Sequence, residues 1–135
     1  MCNCSELRRG NIVNVNLGEG VGSEQMNVRP CVVISNNVGN RFSPVIVVAP
    51  LTSKMTKRPM PTHVFLTKEM YGLHMDSIVL CEQVRTIDKR RVINSMGLSL
   101  NQLDMIKLNK CLAISIGLVE TNQDKKVACS MWWKN

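Results

Sequence analysis

The apolar residues of this chain fall first into short runs and then into one long helical spacing. Residues 12–17 alternate, with Ile12, Val13, Val15 and Leu17 apolar and Asn14 and Asn16 polar, which predicts a first strand. Residues 29–35 and 45–51 are almost continuously apolar and rich in Val and Ile. That pattern predicts two central strands buried on both faces. Residues 62–66 and 78–84 predict a fourth and a fifth strand, and 85–92 a strand end followed by a charged turn or short helix. Between them, 36–43 reads as a polar turn, 52–61 as a basic loop bounded by proline, and 67–72 as one helical turn closed by Gly72. Ser99 is the predicted N-cap of a helix whose apolar face carries Leu100, Leu103, Ile106, Cys111, Leu112, Ala113 and Ile116. This helix is expected to end near Gly117-Leu118. Several short strands and one late helix indicate a small twisted barrel or sandwich, mainly β.

Residues 18–25 are glycine-rich. A phosphate-cradling loop of the P-loop kind needs Gly-Lys-Ser/Thr and a following helix, and neither is present. The expectation is a mobile loop over one rim of the barrel.

Charge adds a partner class. The chain of 135 residues carries a net charge of +7, which favours a polyanion. The excess is uneven: residues 1–60 hold seven Lys and Arg against three Asp and Glu, and residues 61–135 hold ten against seven. A basic protein with no nucleic-acid role stays open on charge alone. Aromatic residues are only 4%, which argues against an aromatic stacking platform of the usual RNA-binding kind. Six cysteines, at 2, 4, 31, 81, 111 and 129, include no CxxC pair and no second cluster beside Cys2-Asn3-Cys4. No metal site is expected, and no cofactor. Cys31, Cys81 and Cys111 sit in apolar runs and read as small buried hydrophobes. No run approaches the ~20 apolar residues of a membrane span, and no secretory signal precedes the cysteines. A reducing cytoplasm is the expected compartment.

The chemistry lies at the strand ends. Arg29-Pro30 opens one apolar run, Thr52 closes the next, and Glu82-Gln83-Val84-Arg85 follows the run 77–81. A guanidinium, a hydroxyl and an amide brought to one rim suit a phosphodiester better than a carbonyl. Taken alone, Arg29 also reads as a surface ion-pair partner and Thr52 as a turn residue. Neither is a good base near neutral pH. Glu24 in the glycine-rich loop is the candidate base, with a solvated loop carboxylate the equal alternative. His63 and His74 have no partner motif and are expected in structural or solvent roles.

The segments Arg9-Gly10-Asn11-Ile12-Val13, Gly22-Ser23-Glu24-Gln25, Val28-Arg29-Pro30, Asn36-Asn37-Val38-Gly39-Asn40, Leu51-Thr52, Pro61-Thr62-His63-Val64 and Glu82-Gln83-Val84-Arg85-Thr86-Ile87-Asp88 occur in that order. Together they resemble the MazF/PemK toxins, ribosome-independent endoribonucleases of bacterial toxin–antitoxin pairs, and most closely the Gram-positive MazF branch. Each segment alone is weak, but seven in order are specific. Asn11 stands where that family usually has an acidic residue, a change expected to affect a turn contact rather than chemistry.

The resemblance covers about residues 9–118, leaving an arm at 1–8 and a polar tail at 119–135. It implies an SH3-like barrel of the CcdB/PemK (MazF) type, normally a homodimer. It implies an mRNA interferase that cuts single-stranded RNA by attack of the 2′-hydroxyl on the adjacent phosphorus, without metal. Arg29 and Thr52 are then the expected catalytic residues. Asn36, Ser77, Gln83 and Arg85 are candidate RNA contacts, with turn-capping the alternative for the neutral three. The cognate antitoxin is expected to be acidic and partly disordered, like MazE. Two rivals remain on the same fold: a gyrase-binding toxin like CcdB, and a catalytically silent RNA- or protein-binding barrel. The tail carries Lys125-Lys126 and the pair Trp132-Trp133, expected to dock in part because two exposed indoles are costly.

Overall fold

The computed structural model describes residues 6–55 and 60–122. The expectations for Cys2, Cys4, Lys57, Arg58 and Trp132-Trp133 fall outside the described residues. Seven strands form one antiparallel sheet: β1 Asn11–Asn16, β2 Val28–Val33, β3 Val45–Thr52, β4 His63–Leu66, β5 Ser77–Leu80, β6 Arg85–Asp88 and β7 Val92–Ser99. The strand order is β4-β5-β3-β2-β1-β7, and β6 also pairs with β3. Three helices join them: α1 Asn37–Phe42, α2 Lys68–Tyr71 and α3 Gln102–Ser115. The mainly β fold with a C-terminal helix read from the sequence is the fold observed.

β3 is the hub. Val45–Val48 pair with β6, Leu51 and Thr52 pair with β5, and Cys31–Val33 of β2 lie along its other edge. Pro50 sits in the gap between the two partners, where the missing proline N–H costs no ladder bond.

Alternation along these strands builds two cores. Val13, Val15, Cys31, Val33, Ile46, Val48 and Ile87 fill one face of the sheet, with Leu7, Leu17 and Val92. Ile12, Val32, Ala49, Leu51, Val64 and Val79 fill the other, against Tyr71, Leu73, Leu100 and Leu108. Burial on both faces explains the continuous apolar runs of β2 and β3.

Four elements differ from the sequence expectation. Residues 36–43 form a helix rather than a turn. Asn36 caps it by accepting from the Gly39 amide at 2.8 Å, and the fully buried Asn40 donates to the Ser35 carbonyl at 2.8 Å. Polar ties replace the apolar periodicity that would have announced it. The fifth strand stops at Leu80 and continues as a 3-10 turn at Cys81–Gln83. β7 gave no strand signal because it is a sheet edge with exposed Asn94 and Ser95, a left-handed Gly97 and two register shifts against β1. Its formation moves the helix start: Asn101, not Ser99, caps α3, accepting from the Asp104 amide at 2.8 Å. Ser99 instead meets Asn11 Nδ2 at 2.7 Å.

α3 packs only in part by the positions its apolar pattern predicts: Cys111 and Leu112 lie against the core, joined by Leu108 and Met105. Leu108 and Asp104 are buried, whereas Leu103, Ile106 and Ile116 are exposed. Tyr71 Oη donates to the Asp104 carboxylate and accepts from the Asn101 amide at 3.1 Å. Ser115 Oγ donates to the Cys81 carbonyl at 2.7 Å. Polar anchors thus select which face turns inward. The one-turn helix at 68–71 matches expectation, with Thr67 as N-cap and Gly72 left-handed at φ +66.

Candidate nucleic-acid interface at the barrel rim

Register brings the separated segments together. The β2–β3 ladder ends at Cys31 facing Pro50, and just past it the Arg29 side chain reaches the Leu51 carbonyl, one residue before Thr52. Thr52 in turn faces Ile78 on β5. Arg29 follows Val33 and Cys31 in alternation, Thr52 follows Ile46, Val48 and Pro50, and Arg85 precedes Ile87. All three therefore lie on the Cys31–Val48 face, where its apolar core reaches the rim and gives way to polar side chains.

Arg29 is held through two of its three nitrogens. Nε donates to the Met26 carbonyl at 3.0 Å and Nη1 to the Leu51 carbonyl at 3.3 Å. It makes no ion pair among the described residues. A guanidinium has five N–H donors, and Nη2 has no hydrogen-bond partner among the described residues, so its N–H groups can meet an oxyanion. Thr52 Oγ1 accepts from the Lys54 amide at 3.2 Å. Its own proton is then directed elsewhere. Arg85 Nη1 donates to the Leu17 carbonyl at 3.2 Å, at the root of the glycine-rich loop.

Both arginines act on Cys31 beneath them. Burial pushes its thiol up to about 12, while Arg29 and Arg85 pull the other way. Cys31 is a packing residue and no nucleophile near neutral pH.

Two recesses flank the end of β3. One, about 280 Å³, contains Arg29, Leu51, Ser53, Met75, Ser77 and Met96. Ser77 belongs here, although its Oγ donates to the Met75 carbonyl at 3.0 Å. The other, about 360 Å³, holds Glu24, Gln25, Pro50, Glu82, Gln83 and Arg85. The structure thus gathers six of the seven candidates at one rim. Asn36 is the exception: it lies beyond the opposite end of β2, seven residues from Arg29, or about 23 Å at strand rise.

Gln83 has a structural task that sequence reasoning missed. Its Oε1 accepts from the Gln25 amide at 3.0 Å and its Nε2 donates to the Ser23 carbonyl at 2.8 Å. Both ends of the amide hold the 18–25 loop against the rim. Glu24 Oε1 accepts from the Val21 amide at 3.1 Å, pinning the loop from within. His63, expected in a structural or solvent role, meets Glu82 at 2.8 Å with a side chain only 6% exposed. Asp88 pairs with Arg90 at 3.0 Å, and its carboxyl is held below the usual range by that guanidinium. Asn11 Oδ1 accepts from the Arg8 amide at 2.8 Å, a turn contact. Among the described residues no group of three or more His, Cys, Asp or Glu could hold a metal ion.

Comparison with known proteins agrees with this frame. Residues 8–116 match the model of the PemK-like, MazF-like toxins of type II toxin–antitoxin systems. The endoribonuclease EndoA of Bacillus subtilis is 42% identical, covering 84% of this chain and 97% of that protein. The endoribonuclease MazF of Staphylococcus epidermidis is 42% identical over 83% of this chain and 92% of its own. A mycobacterial endoribonuclease solved with its cognate antitoxin superposes with TM-score 0.66 at 26% identity, covering 85% of this chain and 99% of that one. The rim described above is therefore carried by a member of the PemK-like, MazF-like family of type II toxin–antitoxin toxins.

Proposed function

We propose that this toxin is a sequence-specific endoribonuclease acting on single-stranded RNA, mRNA included, without a metal ion. The observation that carries the reading is the approach of Arg29 to the end of β3 that carries Thr52, with the guanidinium anchored by two carbonyls and its Nη2 without a partner among the described residues. The RNA 2′-oxygen attacks the adjacent phosphorus and the 5′-oxygen leaves, taking a proton from water. The products are a 2′,3′-cyclic phosphate and a 5′-hydroxyl. Extra negative charge builds on the phosphoryl oxygens in the transition state. Arg29 meets it with bidentate, permanently charged donors and Thr52 with its hydroxyl proton. Glu24 is the candidate acceptor of the 2′-proton. Ser77 and Arg85 border the rim as contacts for bases and phosphates, and Gln83 acts through the loop it holds.

The partners follow from the same surface. An acidic antitoxin segment with apolar anchors is the complement of a basic rim, and the working form is a homodimer in the bacterial cytoplasm. Purified protein incubated with a long single-stranded RNA in excess EDTA tests the reading. Discrete fragments with 5′-hydroxyl ends support it. Intact RNA, or 5′-phosphate ends, would overturn it. A competition titration with uncleavable RNA tests the shared surface: saturating antitoxin must abolish RNA binding.

A further inference from the structure

We infer that Phe65 is the stacking surface for a nucleobase flanking the scissile phosphate, in a recess that continues the Arg29 rim across β5 to β4; the inference rests on the endoribonuclease reading above. Phe65 faces Ile78 across β4 and β5, and Ile78 faces Thr52 across β5 and β3. Opposed residues of a ladder project to the same face, so these side chains form one rung. At a strand spacing of about 4.8 Å, Phe65 stands about 10 Å from Thr52. The recess beside Arg29 reaches the same place by another route. Ser53, His74 and Met75 line it, and they also line a second recess of about 460 Å³ that holds Phe65, Lys68 and Asp76.

The walls of the second recess have the chemistry of a base and its phosphate. Phe65 is 53% exposed and Met75 58%, with Met55 in the same hollow. Scattered exposed apolar residues are ordinary. A ring and two thioethers lining one hollow are a surface for a flat apolar partner, and thioethers adapt to an aromatic face. One exposed ring falls short of the multi-aromatic platform that a 4% aromatic content argues against. It is enough for a single base, whose π-face stacks on an aromatic side chain whatever its identity. The polar groups at the edge select this occupant over a peptide anchor. Asp76 Oδ1 accepts from the Lys68 amide at 2.8 Å. Neither Asp76 nor Lys68 enters an ion pair among the described residues. The carboxylate therefore keeps acceptor capacity for a base amino group, and the exposed Lys68 ammonium is a donor for an adjoining phosphate. An acidic antitoxin segment would set its carboxylates against Asp76.

The wild type first cuts a long single-stranded RNA in EDTA. A short RNA spanning one mapped cut is then made with a single abasic nucleotide at each flanking position in turn. Wild type, Phe65→Ala and Phe65→Trp are compared by kcat/KM on this set. Circular dichroism and a thermal melt check folding; Phe65 is exposed, so both variants retain the barrel. The expected result is a loss of about 10- to 100-fold for Phe65→Ala on the intact RNA, the scale of one stacked base, recovered by Phe65→Trp. At one flanking position the abasic RNA should cost the wild type the same factor and cost Phe65→Ala nothing further. Abasic penalties equal in wild type and Phe65→Ala at every position would overturn the inference while leaving the nuclease reading intact. So would a Phe65→Ala variant that cleaves like the wild type yet loses affinity for the antitoxin, which would assign the recess to protein. Intact RNA with the wild type would overturn the nuclease reading and the subsite with it.

Discussion

The Arg29 guanidinium donates to the carbonyl of Leu51, the residue immediately before Thr52. The side chain from one strand is thus fixed to the backbone that presents the hydroxyl of the next. Positioning of this kind is paid before substrate arrives, which is what makes a donor effective against charge that exists only in the transition state.

Arg29→Ala should therefore reduce cleavage by about 100-fold or more, the scale for losing one transition-state donor, while the protein remains folded. Arg29→Lys should recover little, because an ammonium does not reproduce the planar fork. Initial rates on a defined RNA, beside thermal melts of each variant, check this. Near-wild-type rates in folded Arg29→Ala would remove Arg29 from the mechanism.

Thr52→Val keeps the shape and removes the hydroxyl. Cleavage should fall by roughly 10- to 100-fold, less than for the guanidinium, because a neutral donor contributes less than a charged one. Affinity for uncleavable RNA should change little. A variant that loses affinity in proportion to rate would make Thr52 a binding residue instead.

Gln83→Leu should release the 18–25 loop without unfolding the barrel. Two hydrogen bonds worth about 0.5–1.5 kcal/mol each are lost, so the Gln25 amide should exchange with solvent roughly 10-fold faster. Hydrogen exchange read at that amide decides it. Unchanged protection would mean that Glu24 and backbone turns alone hold the loop.

The buried thiols and phenol set an alkaline limit to stability. Burial raises Cys31 and Cys81 from 9.0 to about 12, and burial with the Asp104 hydrogen bond raises Tyr71 from 10.0 to about 12. Each group is neutral in the native state at a pH where the unfolded chain has begun to ionise. Their stabilisation is complete below pH 9 and is lost as pH rises from 9 toward 12. The melting temperature should fall steadily over that interval. Cys31→Ala and Tyr71→Phe should flatten the slope, even if each lowers stability at neutral pH. A melting temperature constant to pH 11 would contradict this assignment.

How much of this was legible in the sequence depended on which force organised each part. β2 and β3 were readable because two apolar faces produce unbroken Val and Ile runs. The 68–71 helix was readable from the Gly72 that closes it. α1 was not, because buried Asn40 and the Asn36 cap hold it instead of an apolar stripe. β7 was not, because an edge strand can form from Asn, Ser and Gly once β1 offers it a partner. Among the candidate residues, Arg29, Thr52 and Arg85 stand at the ends of apolar runs, but Arg29 and Thr52 were singled out only by the ordered family segments, since each alone also reads as a surface or turn residue. The role of Gln83 as an anchor could not be read, since its partners lie 58 and 60 residues away. The pairing of His63 with Glu82 was hidden for the same reason, across 19 residues.

The branching of β3 has a consequence for when the toxin becomes dangerous. Arg29 and Thr52 belong to neighbouring strands, yet a lone pair of strands is marginal in water. β3 acquires its second edge only when β5 and β6 join it, and β1 its outer partner only with β7, which ends at Ser99. A nascent chain thus carries both side chains for most of its synthesis without the scaffold that aligns them. The expected consequence is that the message being translated meets an inactive polypeptide until nearly the whole barrel has left the ribosome. Ribosome-bound chains halted near residue 75 should leave RNA intact, whereas released full-length protein cuts it.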